Sequence, residues 1–154
     1  MTSHHEFLDD EPTLDFVATA LTHAGYSPTR HGHVLTLPNA GVGLHDNSID
    51  LDVAVIQIEG IRVVHLSSLL RSVPGTFDAA CLAAARGNGA CMVAKFDVHE
   101  VDGLPTGAAA RFRIRASLSL FADHLSAEEF TKMTWLFLKE TDSIDNELAE
   151  ILAG

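Results

Sequence analysis

The sequence predicts an α+β fold, a two-layer sandwich in which an antiparallel sheet is covered by helices in the order α-β-β-β-α-β-β-α. Three observations carry this. Period-two alternation marks strands near 34–37, 49–70, 92–98 and 111–120. Apolar residues at three- and four-residue steps mark helices over 14–21 and 130–151. Strands grouped in runs between helices suit two packed layers around one core, and 154 residues suffice for one core of that kind.

The opening residues 1–11 carry His4, His5 and four acids with only Phe7 and Leu8 apolar, so they are expected to be flexible, and residues 12–154 to form a single domain. Pro12 fits a first helical turn, Leu14, Val17, Ala18 and Leu21 form one stripe, and Gly25 ends that helix. Val34 to Leu37 reads as a short strand ended by Pro38. Ile49, Leu51, Val53 and Val55 alternate with Asp50 and Asp52, which fits a sheet buried on one face only. Glu59-Gly60 turns this strand into a second, Ile61 to Leu70, before Pro74 and Gly75 end the run.

Thr76 caps a small-sided helix from Phe77 to about Arg86, with Gly87 as its expected stop. Met92, Ala94, Phe96 and Val98 then share one face of a strand. After the Asp102-Gly103-Leu104-Pro105 turn, Phe112, Ile114, Ala116, Leu118 and Leu120 share one face of another. Ser126 and Glu129 have capping-box spacing, flanked by the staple pair Leu125 and Phe130. The helix they open continues to the C-terminus, about 39 Å at 1.5 Å per residue. Its last turns carry Asp142, Asp145, Glu147 and Glu150, where the helix dipole prefers cations, so contacts from elsewhere are expected to support it.

A formal net charge of −11 disfavours nucleic acid and anionic membranes, and points to a basic partner if the partner is charged. No apolar run reaches the length of a membrane span, and the first ten residues lack the pattern of a secretory signal, so a cytoplasmic protein is expected. Cys81 and Cys91 lack a zinc-knuckle spacing and read as small buried apolar residues, with one interior pair as the alternative.

The helix ending at Ala24-Gly25-Tyr26, the small helix leading to Asn88, the alternating Met92 to Val98 strand and the capped helix from Ser126 resemble the YbjN-like family. These proteins are described as bacterial sensory transduction regulators and are similar in fold to type III secretion chaperones. The resemblance spans about Leu14 to Leu152, includes no catalytic motif, and meets Gly87-Asn88 where the family habitually has a leucine-asparagine pair. It implies a non-enzymatic, homodimeric, chaperone-like or regulatory protein that binds a partly unfolded or basic client, with no cofactor. The fold analogy would place the client in an apolar groove beside Leu51, Val53 and Val55.

Trp135 and Leu136, with Leu138 beside them, lie off the main stripe of the last helix, as in a helix that is deeply buried or that meets a partner. Arg111, Arg113 and Arg115 share one face of a strand. They form either an anion-binding site for a small-molecule regulatory module or, the stronger reading, a solvated face paired with Asp50, Asp52 and Asp97. His31-x-His33 has a usable metal spacing but needs a third ligand from His4, His5 or His45, so exposed histidines without metal are favoured. His65 is expected to be half-buried. Ser67, His99 and Asp97 could compose a hydrolytic triad on paper, yet no nucleophile elbow surrounds any serine. Gly87-Asn88-Gly89 is too short for a phosphate loop.

Overall fold

The alternation in the sequence becomes one antiparallel sheet in the computed structural model of the chain, which describes residues 5–7, 10–40, 49–74 and 76–153. In chain order the elements are β1 (His5–Phe7), α1 (Glu11–His23), β2 (Thr29–His31), β3 (Val34–Leu37), β4 (Leu51–Ile58), β5 (Ile61–Pro74), α2 (Phe77–Ala90), β6 (Lys95–Glu100), β7 (Arg111–Phe121) and α3 (Ala127–Ala153). Among the described residues the strands lie in the order β2-β3-β4-β5-β7-β6, and β1 joins β4 beside the end of β3. This is the predicted α+β sandwich, with two short strands added. Residues 5–7 pair with β4, so the expected flexible segment 1–11 contributes a strand. β2 pairs with β3, a hairpin too short and too polar to show in the alternation.

Local chemistry explains the element ends. Asp10 caps α1, accepting from the Thr13 amide at 3.2 Å and the Thr13 hydroxyl at 2.8 Å. Gly25, with φ +96°, takes the left-handed conformation that closes the helix. Glu59 and Gly60 both have positive φ, which gives the two-residue turn whose twist matches a hairpin. Arg62 reaches from β5 to Asp10, at the start of α1, and to Asp123, at 2.6 Å. Burial alone would raise the Asp10 carboxyl, but the Thr13 and Arg62 contacts outweigh it and hold it below the usual aspartate value. Ser126 caps α3 by accepting from the Glu129 amide at 3.0 Å.

The core lies between the sheet and the helices. From the sheet come Leu35, Leu37, Leu51, Val53, Val55, Val64, Leu66 and Ile114, and from the helices Leu14, Val17, Leu21, Phe130, Phe137, Leu138 and Ile144. Between Leu69 and Ser72 the β5–β7 register slips by one residue, a bulge that lets β5 run on to Pro74 beyond its expected end. Asp142 and Asp145 of α3 are buried. Two of the four acids near the end of this helix are therefore enclosed by the fold, and Asp142 Oδ2 is buried without a hydrogen bond among the described residues.

The α2–β6 corner corrects the sequence reading in two places. Gly87 lies inside α2, which continues to Ala90, and a Cβ there would meet Phe96 Cδ2 at 2.8 Å. Glycine is required at this point by close packing, not as a stop. β6 begins at Lys95, and the preceding segment is held by Glu140 of α3, whose carboxylate accepts from the amides of Met92 (2.5 Å), Val93 (2.9 Å) and Ala94 (3.0 Å). Met92 is consequently exposed, not on the buried face of a strand. Asn88 takes both backbone groups of Phe96, donating to its carbonyl at 3.0 Å and accepting from its amide at 2.7 Å. A side chain thus occupies part of the free edge of β6, the outermost strand.

Two predictions follow from this corner. Gly87→Ala forces a Cβ into the Phe96 ring and should cost about 1–2 kcal/mol, overpacking outweighing the gain in helix propensity. Gly89→Ala meets nothing within 4 Å and should stabilise by a few tenths to about 1 kcal/mol. Urea unfolding of both variants tests the pair, and two shifts of the same sign would contradict the packing assignment. The second concerns Cys91, a free thiol pushed up to about 11 by burial and by the nearby charges of Glu140 and Glu147. With Cys81 replaced by serine, alkylation of the folded protein at about pH 8 should be roughly 100-fold slower than for free cysteine, since about one thiol in a thousand is ionised. A rate within tenfold of free cysteine would overturn that environment.

Candidate functional site

The structure separates the residues expected to meet a partner. Leu51, Val53 and Val55 are each 0% exposed, sealed on the inner sheet face within the core. They do not line a groove, because the helices occupy the face that the analogy left open. Leu138 is also 0% exposed and is a core residue, whereas Trp135 is 47% exposed. An i+3 step leaves the two side chains only about 60° apart around α3, so Leu138 sits on the buried stripe and Trp135 at its margin.

Trp135 belongs to an open groove on the helix layer. Its larger part, about 630 Å³, lies between α1 and α3 and is lined mainly by apolar atoms, with Phe16, Ala20 and Ala24 facing Ala127 and Thr131. An adjoining part, about 450 Å³, continues past Ala24, Thr131 and Lys132 to Tyr26, Trp135 and Leu136. Phe16 is 38% exposed, and Lys139 Nζ lies 5.2 Å from the Trp135 ring centroid, a cation on its face. Asp15, His23, Glu128 and Lys132 give the groove walls both signs of charge. Lys132 donates to Glu128 one helical turn away, at 2.9 Å. Sequence reasoning found Trp135 but passed over Phe16, which also stands off the apolar stripe of its helix.

The outer sheet face carries the arginines, and they do not converge. Arg113 donates from Nε to the Leu70 carbonyl at 3.1 Å, and Arg111 has an interaction of its own. The expected ion pairs with aspartates are not formed either. Asp50 accepts from the Asn39 amide at 3.0 Å, Asp52 from the Thr36 hydroxyl at 3.2 Å, and Asp97 faces His99 Nε2 at 3.0 Å. Asp97 is directly opposite Arg115 in register, yet no hydrogen bond or ion pair engages Arg115 among the described residues. Arg115 instead lines a cavity of about 240 Å³ with Val34, Asp52, Ala54, Ile56, His65 and Ser67. Asp52 and Ser67 lie opposite each other across β4 and β5, a juxtaposition that only the strand register supplies.

The remaining constellations stay apart. Ser67 is on β5, while His99 and Asp97 are on β6 with β7 between, about 10 Å away by strand spacing. His31 ends β2, and His33 sits in the turn after Gly32, so strand alternation does not align them. His4 and His45, and the side chain of His5, lie outside the described residues. No group of three metal-ligating side chains occurs among the described residues. His65 is half-buried as expected, with Nδ1 2.9 Å from Ser119 Oγ. Cys81 and Cys91 are both free.

No helix among the described residues is long and apolar enough to cross a membrane. No family model matches the chain, and no curated protein matches it by sequence. Among solved structures the chain is similar to YbjN from E. coli, described as a "putative transcription regulator", at 16% identity and a TM-score of 0.61. The match covers 96% of this chain and 97% of that one. The match at that identity is one of architecture, and the chain therefore has the YbjN-like fold.

Proposed function

We propose that this chain is a non-enzymatic regulatory protein of the cytoplasm that acts, as a homodimer, by binding a second protein. The observation that carries the dimer is the apolar groove between α1 and α3, with the exposed rings of Phe16 and Trp135 along it. Exposed aromatic anchors in a concave apolar surface are the features that supply most of the energy of a protein interface. We assign this groove to the pairing of two copies. An interface between two copies is isologous, so Phe16 and Trp135 of each copy would meet the same apolar patch on the other across a two-fold axis.

The overall charge of −11 supports a client with a basic segment, since acidic surface steers such a partner and repels nucleic acid. The dispersal of Ser67, Asp97 and His99 supports a binding role over a hydrolytic one. A regulatory role also accords with the description of the structural neighbour.

Sedimentation over a concentration series tests the pairing. The wild-type chain should form a dimer, and Trp135→Ala should weaken it by about 30-fold, near 2 kcal/mol, as expected for a central aromatic anchor. A monomeric wild type, or an unchanged dimer with only a lower melting temperature, overturns the assignment.

A further inference from the structure

Beyond protein binding, the outer face of the sheet carries a built cavity whose chemistry nothing in the dimer reading uses. Two walls differ in kind. One is apolar, formed by Val34, Ala54 and Ile56, with Ala54 and Ile56 each only 5% exposed although they face away from the main core. The other is polar. Arg115 enters from β7 with no hydrogen bond or ion pair among the described residues, Ser67 lies on β5 between the charges, and Asp52 stands on β4. Asp52 and Arg115 make no salt bridge with each other, although both line the cavity. Their strands are two spacings apart, about 10 Å, and a side chain extends from each into the space between.

We propose that this cavity binds an apolar α-amino acid of about the size of valine or leucine. The guanidinium of Arg115 takes the ligand carboxylate through paired N–H donors, and Ser67 offers a further hydroxyl donor. Asp52 accepts from the ligand ammonium with the carboxylate capacity that its bond to Thr36 leaves over. The side chain of the ligand lies against Val34 and the small exposed parts of Ala54 and Ile56. A volume of about 240 Å³ accommodates a branched aliphatic amino acid.

Charge decides between this ligand and a simple anion. Arg115 has Asp97 directly across the strand pair and Asp52 across the cavity, in a chain of net charge −11. Within the cavity a phosphate or dicarboxylate would meet the Asp52 carboxylate beside the one guanidinium, and the long-range field would repel it. A monocarboxylate lacking the ammonium would leave Asp52 unmatched. A zwitterion is neutral to the overall field and satisfies both local charges.

Isothermal titration of the full chain with L-leucine tests the proposal, with 4-methylpentanoate, isoamylamine and inorganic phosphate as probes that each lack one feature. Leucine should bind saturably at concentrations below about 10 mM and raise the melting temperature. The acid and the amine alone should each bind at least tenfold more weakly. Arg115→Gln and Asp52→Asn, both on the solvent face of the sheet, should each weaken leucine by at least tenfold while circular dichroism stays unchanged. Trp135→Ala should leave leucine binding as it is, which keeps this test independent of the dimer. Absence of leucine binding, equal binding of 4-methylpentanoate, preference for phosphate, or retention of leucine affinity in either cavity variant would each overturn the assignment.

Discussion

The structure depends on the burial of one face of the sheet beneath α1 and α3. Phe130, Phe137 and Leu138 come down on strands whose inward residues, Leu51, Val53, Val55 and Leu66, are wholly removed from solvent. Each large side chain so buried contributes about 1.5–3 kcal/mol, far more than any exposed ion pair of the surface. That single contact sets the parity of every strand. Once Val53 and Val55 point inward, Asp52, Ala54 and Ile56 must point outward, and the register carries the same division across β5 and β7.

The two candidate surfaces are consequences of that division. Among the described residues the helices lie on the inner face, so their own outer sides form the groove with Phe16 and Trp135, while the opposite side of the sheet holds Arg115 and Asp52. The sites lie on opposite faces of the molecule, joined through the core by strands that have residues in both layers. Val53 and Ala54 are neighbours in sequence, one in the core and one in the cavity wall.

At the far edge, α2 and β6 are fitted to each other by residues with little bulk. Gly87 admits the Phe96 ring, Asn88 pairs with the Phe96 backbone, and Glu140 gathers three amides of the connecting segment onto α3. This corner gives a physical meaning to the Gly87-Asn88 pair at the end of the small helix. Glycine there permits approach, and asparagine supplies one donor and one acceptor to a strand edge that has no further strand beside it among the described residues.

Sequence alone determined the helices, the longer strands and the order of layers, because periodicity, caps and turn residues act within a few positions of one another. Ser126 as a cap, Glu59-Gly60 as a turn and the alternation of β7 needed no knowledge of distant contacts. The tertiary structure decided what depended on separation in the chain. It decided that Leu51, Val53 and Val55 are core and not a groove, since which side of a sheet receives the helices is invisible in alternation. It decided that Trp135 is exposed while Leu138 is not, that Gly87 serves packing against Phe96, and that Arg115 stands apart from Arg111 and Arg113. The meeting of Asp52 with Ser67 and Arg115 likewise arises only from strand register, which places residues far apart in sequence on one face and is set by the burial of the other.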